Sequence, residues 1–465
     1  MKKVIVLVIF LLSYNAIFAQ GYQIGVELPG QENKNITLAY HYLDKIYAAD
    51  TILLDANGAG TFTGDTLLTQ GLYLILIDQS HYFDFILGAD QQFKIYNATT
   101  NSKDMKVEGC AETKAFVDYI NFLDGIKQKG QQLSEQFKTA SAEKNANIED
   151  QINQLTSEMK DYWEKIHKEL PGSFLYQFLV ANEVPQLDIS TLPTEVQQND
   201  SLLLLARFDY QREHYWDNFD YTDERFMYTP LYKPKLETWF NKVLYPSYDS
   251  VKPYVYNFID NVEDNPRIFQ FAVSFFLNSA INSNVLGMDA LFVDLANDYY
   301  LNGKAFWADE ETLKKVRENV LFAKNNLIGK IAPDLLMETM DGEYVDLHQL
   351  DAKLTVVLIY EPNCGHCQAF VPPFYSDVYE KYKNKGLEVF AIYSMDNKPE
   401  WEDFVNEHQM YDWINVWDPG DETRFKILYD ARITPGVYVL DQDKRIIAKK
   451  LSLETIKALI ADRLD

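Results

Sequence analysis

The stretch LTVVLIYEPNCGHCQ, residues 354–368, decides the fold of the last third of the chain. Its first seven residues form a nearly continuous apolar run, the composition of a central strand covered on both faces. Two cysteines, Cys364 and Cys367, follow directly, and a helical pattern begins at them and extends to about Lys385. A cysteine in the first turn of a helix meets free N–H groups and the positive end of the helix dipole, both of which favour a thiolate. Three residues of separation let Cys367 close a disulfide with Cys364 and open it again by exchange. The pair reads as a redox dithiol, with Cys364 attacking, Cys367 resolving, and Gly365 and His366 between them. An imidazolium at His366 adds charge stabilisation to the thiolate and makes the disulfide more oxidising. The competing readings are an inert pair and half of a tetrahedral zinc site. No second C-x-x-C exists, and His348 or His408 would have to leave its own element to complete a metal site.

Downstream, strand-like runs LEVFAIYS, WINVWD, VYVLD and RIIAKK alternate with helical runs PEWEDFVNEHQM, TRFKILYD and LETIKALIADRL. Upstream, LMETMDGEYVDL reads as a hairpin turning at Asp341-Gly342. Alternating strands and helices that finish in an antiparallel pair predict an α/β three-layer sandwich with a mixed sheet over 329–465. Pro372 and Pro373 predict a kink in the helix that carries the cysteines.

Further upstream the periodicity changes twice. Residues 20–110 alternate in short apolar runs such as NITLAYHY, GLYLILID and HYFDFILG, broken at NGAG and GADQQ, and predict an all-β domain. Residues 111–328 carry amphipathic segments with few breakers, among them AETKAFVDYINFLDGI, a long stretch from about Gln131 to Leu170, and EETLKKVRENVLFAKNNL, and predict a helical middle domain. Its many aromatics, Tyr215 and Trp216 among them, fit core packing better than a recognition surface. Residues 1–19 read as a cleaved signal peptide: Lys2 and Lys3, an apolar run, and a small residue, Ala19, at the cut. The apolar run is short for a membrane anchor.

At 465 residues the chain is long enough for several cores, and 69 acidic against 43 basic side chains give a formal charge of -26 that repels phosphate backbones. Nucleic-acid binding is excluded on that ground. Three cysteines are too few for a disulfide scaffold of this length, and Cys110 reads as a passive or partly buried thiol, against the alternative of a resolving or intermolecular partner. No cofactor is implied.

From about Ile331 to Asp465 the sequence resembles the thioredoxin superfamily, specifically the exported TlpA/ResA-like thiol-disulfide oxidoreductases, and the Gly365-His366 pair is similar to that of protein disulfide isomerase. Glu361-Pro362-Asn363-Cys364 and the large front portion resemble Bacteroidetes-type members with N-terminal extensions. The resemblance implies that Pro435 is a cis-proline packed across the cysteine pair and that the backbone of Thr434 hydrogen-bonds an incoming peptide. It also implies a periplasmic address, exported protein thiols or disulfides as substrates, and a membrane-bound electron donor. Three positions depart from the pattern: Asn363 replaces the usual tryptophan, Leu358 stands where ordinary thioredoxin has a buried carboxylate, and Phe370 stands where many relatives have a glutamate. Proton transfer at Cys367 then needs water or another group, and Glu361 is the candidate, against the plainer reading of a solvated loop carboxylate. Two other classes compete. One is a binding or scaffold protein whose front two-thirds capture a partner, with the redox domain accessory. The other is a peroxiredoxin-type peroxidase, whose Thr-x-x-Cys arrangement is missing because Glu361 occupies the threonine's place.

Overall fold

Alternating burial builds two four-stranded sheets near the start of the chain. In this computed structural model, which describes residues 21–465 except 140, 141, 182 and 184, the first sheet has the order β4-β1-β7-β8 and the second β3-β2-β5-β6. The strands are β1 Gln23–Glu27, β2 Asn35–Tyr42, β3 Lys45–Leu53, β4 Ala59–Thr63, β5 Gly71–Leu76, β6 Tyr82–Leu87, β7 Gln92–Tyr96 and β8 Lys106–Glu108. Ile24, Val26, Phe62 and Phe93 of one sheet share a core with Ile36, Leu38, Ile75 and Phe85 of the other, the arrangement of a β-sandwich. The expected signal peptide lies outside the described residues.

Helices follow. Ala111–Thr139 and Ala142–Glu169 pack along each other through Ile126, Leu133, Ile148 and Leu155. Shorter helices continue to Glu310–Ala323. Among the described residues no helix is long and apolar enough to cross a membrane. The chain divides into two compact units between Leu244 and Tyr245, so the helices of the middle third are shared between them. The second unit joins four of the longer helices, from Tyr248–Val262 to Glu310–Ala323, to the final sheet.

That sheet has seven strands in the order β10-β9-β13-β12-β11-β14-β15. They are β9 Leu336–Thr339, β10 Tyr344–Asp346, β11 Leu354–Tyr360, β12 Leu387–Tyr393, β13 Ile414–Trp417, β14 Gly436–Asp441 and β15 Ile446–Lys449. β11, β12 and β13 run parallel, while β9, β14 and β15 pair antiparallel with their neighbours. Every residue of β11 is buried. Val356, Leu358 and Tyr360 pack with the helices on one face, and Val357 and Ile359 pack on the other with Ala332, Leu347, Phe425 and Tyr429. This two-sided burial is why the run is uniformly apolar, and it makes the domain three-layered. The fold is therefore multidomain: an N-terminal β part, a helical middle region and a C-terminal α/β thioredoxin-like domain.

The helix expected from the cysteines to Lys385 is interrupted. It runs as Gly365–Phe374, widens into a π-type turn over Tyr375–Tyr379, and closes in short segments to Lys385. Pro372 and Pro373 lack the N–H groups that would bond one turn back, so the break falls just after them.

Candidate active site

Strand register gathers the site at one edge of the sheet. Tyr360 lies opposite Tyr393, and Tyr393 opposite Trp417, so three parallel strands end in a row. β14 runs the other way beside β11, with Ile359 opposite Gly436. The residues entering β14 therefore arrive where β11 ends, and the Thr434–Pro435 bond among them is cis. Cys364 caps the helix Gly365–Phe374 from an extended conformation, and its carbonyl accepts the N–H groups of Cys367 and Gln368 at 2.9 and 3.1 Å. Its Sγ lies 3.4 Å from the Thr434 carbonyl oxygen.

All three cysteines are free. Cys364 is half-buried and Cys367 is 0% exposed, a contrast that separates their ionisation. Burial raises the Cys364 thiol, but hydrogen bonds from the Thr434 side chain, from the Cys367 thiol and from the backbone N–H groups of Cys367 and His366 outweigh it and hold the group below its ordinary value. Burial pushes Cys367 up to about 12, against the opposing pull of the Glu361 backbone N–H and the Thr434 side chain. In the geometry it is the Thr434 backbone that meets the pair, its carbonyl accepting the Cys364 thiol at 3.4 Å. One sulfur is prepared to attack and the other to wait protonated.

The other sequence-predicted residues fall around this pair. Gly365 and His366 are exposed in the first turn, and His366 reaches Cys364 through its backbone N–H. The Glu361 carboxylate accepts the Ser394 hydroxyl at 3.3 Å, so it is the backbone of Glu361 that faces Cys367. Leu358 is 0% exposed and leaves no carboxylate beneath the pair, and Phe370 stacks on Phe374 with ring centroids 5.3 Å apart. Cys110 is buried in the β-sandwich core, where its sulfur accepts the Thr113 hydroxyl at 3.1 Å.

Sequence reasoning missed two supports. The Asn363 amide donates to the Glu400 carboxylate, whose second oxygen accepts the Tyr393 hydroxyl at 3.1 Å; this chain ties the residue before the nucleophile to the helix Lys398–Glu407. Tyr360, 0% exposed, accepts the Trp401 indole N–H at 2.9 Å beneath the same loop. No spacing marks either pair, since the partners sit 37 and 41 residues apart.

Comparison with known proteins agrees with this geometry. Residues 328–449 match the model of the AhpC/TSA family. The thiol-disulfide oxidoreductase ResA of a Bacillus cereus strain is 23% identical over 156 residues, which span 34% of this chain and 80% of that protein. This chain is a thiol-disulfide oxidoreductase with a thioredoxin-like domain. Among solved structures, the domain of a possible thiol-disulfide isomerase from Cytophaga hutchinsonii is 38% identical, with 29% of this chain and 92% of that one covered and a TM-score of 0.28. A thioredoxin-like protein from Bacteroides caccae is 19% identical over 60% of this chain and 98% of its own, with a TM-score of 0.47. In this oxidoreductase the matched region contains the cysteine pair, the cis-proline loop and all seven strands of the final sheet.

Proposed function

We propose that this oxidoreductase is exported to the periplasm and reduces or exchanges disulfides of exported proteins through Cys364 and Cys367. The observation that carries the reading is geometric: Cys364 starts a helix with Cys367 fully buried one turn on, and the thiol of Cys364 meets the Thr434 carbonyl before the cis Pro435. The Cys364 thiolate attacks one sulfur of a substrate disulfide and expels the other as a thiolate, giving a mixed disulfide. Cys367 then loses its proton and attacks the Cys364 sulfur, so the substrate leaves as a dithiol and the enzyme holds the disulfide. Two electrons have moved, and a membrane-bound donor is proposed to return them. Thr434 and Pro435 are proposed to dock the extended substrate peptide beside Cys364, and the Glu361 carboxylate, which turns to Ser394, to exchange the Cys367 proton through water. The leader-like residues 1–19 support export, and segments 20–110, 111–328 and 329–465 are proposed as the order of sequence domains.

His366, through its charge, is proposed to set a potential between about -270 mV for thioredoxin and about -180 mV for the isomerase. A measured potential at or below the thioredoxin value removes that role. Cys364→Ser is expected to abolish reduction of insulin disulfides by the full chain; full retained activity refutes the reading. Cys367→Ala is expected to trap substrates as mixed disulfides on Cys364.

A further inference from the structure

One side chain ties the loop that carries Thr434 to the helices ahead of the thioredoxin-like domain. Arg432 Nε donates to Asp430 Oδ1 at 2.6 Å, and Arg432 Nη1 donates to Asn319 Oδ1 at 2.9 Å. The guanidinium carbon Cζ lies over the Phe322 ring, 4.2 Å from its centroid. Asn319 and Phe322 are three residues apart in the helix Glu310–Ala323 and so share one face of it. Asp430 is itself held on its other oxygen by Lys450 at 2.7 Å. Planarity, a fork with two separately bonded edges and an aromatic face are features a lysine does not reproduce.

Position in the chain makes this anchor matter. Ile433, the next residue, is 78% exposed, so burial of its own side chain does not hold the strand of backbone between Arg432 and Thr434. Thr434 then meets Cys364 through its carbonyl at 3.4 Å.

We propose that Arg432 is a positioning residue for the dithiol: through Asn319 and Phe322 the helix Glu310–Ala323 holds the loop Arg432–Pro435 against Cys364 and so governs how readily that sulfur reacts. The inference rests on the proposed role of Cys364. It makes the helical segment a determinant of reactivity rather than a neighbour of the domain.

The test uses the full chain in its reduced form and reads two quantities: the rate of Cys364 alkylation by iodoacetamide at neutral pH, and KM against kcat for insulin disulfide reduction. Arg432→Ala loosens the carbonyl that accepts the Cys364 thiol and so holds it protonated, and is expected to speed alkylation about threefold to tenfold, the size of one lost hydrogen bond, and to raise KM. Arg432→Lys, which keeps the charge, is expected to behave like Arg432→Ala. The double variant Asn319→Ala/Phe322→Ala leaves the loop sequence and the guanidinium intact and is expected to shift both quantities in the same direction. Circular dichroism and Tm identify the variants that stay folded, and Asn319→Ala alone serves if the double variant does not. Unchanged alkylation and KM in the helix variants overturn the proposal, as does wild-type behaviour of Arg432→Lys, which assigns the effect to charge. Cys364→Ser separates the two claims. If it stays active the proposed function fails, and if it is inactive while the Arg432 and helix variants are normal only this inference fails.

Discussion

At the scale of single residues, two thiols three positions apart are driven in opposite directions by their surroundings. Cys364 sits at a helix start with several donors, and Cys367 sits one turn in, wholly out of water. Alkylation of Cys364 is therefore expected to set in at lower pH than for a free thiol, because deprotonation generates the nucleophile and its midpoint is lowered. Cys367, followed by mass spectrometry in a Cys364→Ser background, is expected to stay slow throughout the range where free thiols ionise. A common pH profile for both contradicts the split. Thr434→Val removes the side-chain hydroxyl that contributes to lowering the Cys364 thiol while keeping the carbonyl that accepts it. The change is expected to lower the rate of Cys364 alkylation at neutral pH by about threefold to tenfold.

At the scale of elements, β11 holds the nucleophile in place by being buried on both faces. Leu358→Ala, at a position 0% exposed, is expected to cost about 2–5 kcal/mol, read as a lower urea midpoint with an unchanged slope. β10, three residues long, shows only through the turn at Asp341-Gly342, but long runs such as Leu354–Tyr360, Leu387–Tyr393 and Leu453–Leu464 are legible in the sequence. β3 is not, because most of Lys45–Leu53 is exposed and an exposed edge strand carries no alternating pattern. Ala111–Thr139 runs straight through Gly125 and Gly130, where the sequence suggests separate segments. Packing against Ala142–Glu169 makes up for the weak helix propensity of those glycines.

At the scale of the whole molecule, the helices from Tyr248 onward and the final sheet form one unit, joined through Lys449. Its ammonium, on β15, donates to the backbone and side-chain oxygens of Asn326 at 2.7 Å each and pairs with Asp289 of the helix Met288–Leu295. Lys449→Met strands both partners. The expected loss is about 1–3 kcal/mol, less than for a fully buried pair because the Asp289 side chain is 26% exposed, and it is checked by Tm in calorimetry. The double variant Lys449→Met/Asp289→Asn is expected to cost less than the sum of the single changes, since neither then leaves a charge without its partner.

What the amino-acid order determined alone is whatever is local. The apolar run into two cysteines at a helix start and the order of β, helical and α/β segments follow from neighbours within a few turns of chain. Tertiary structure decided which groups surround the sulfurs. Thr434 reaches Cys364 across 70 residues because β14 pairs beside β11, and Arg432 reaches Asn319 across 113 because a helix docks on that loop. Sheet register and helix docking are set by the summed burial of the whole unit, and no short stretch of sequence contains that sum.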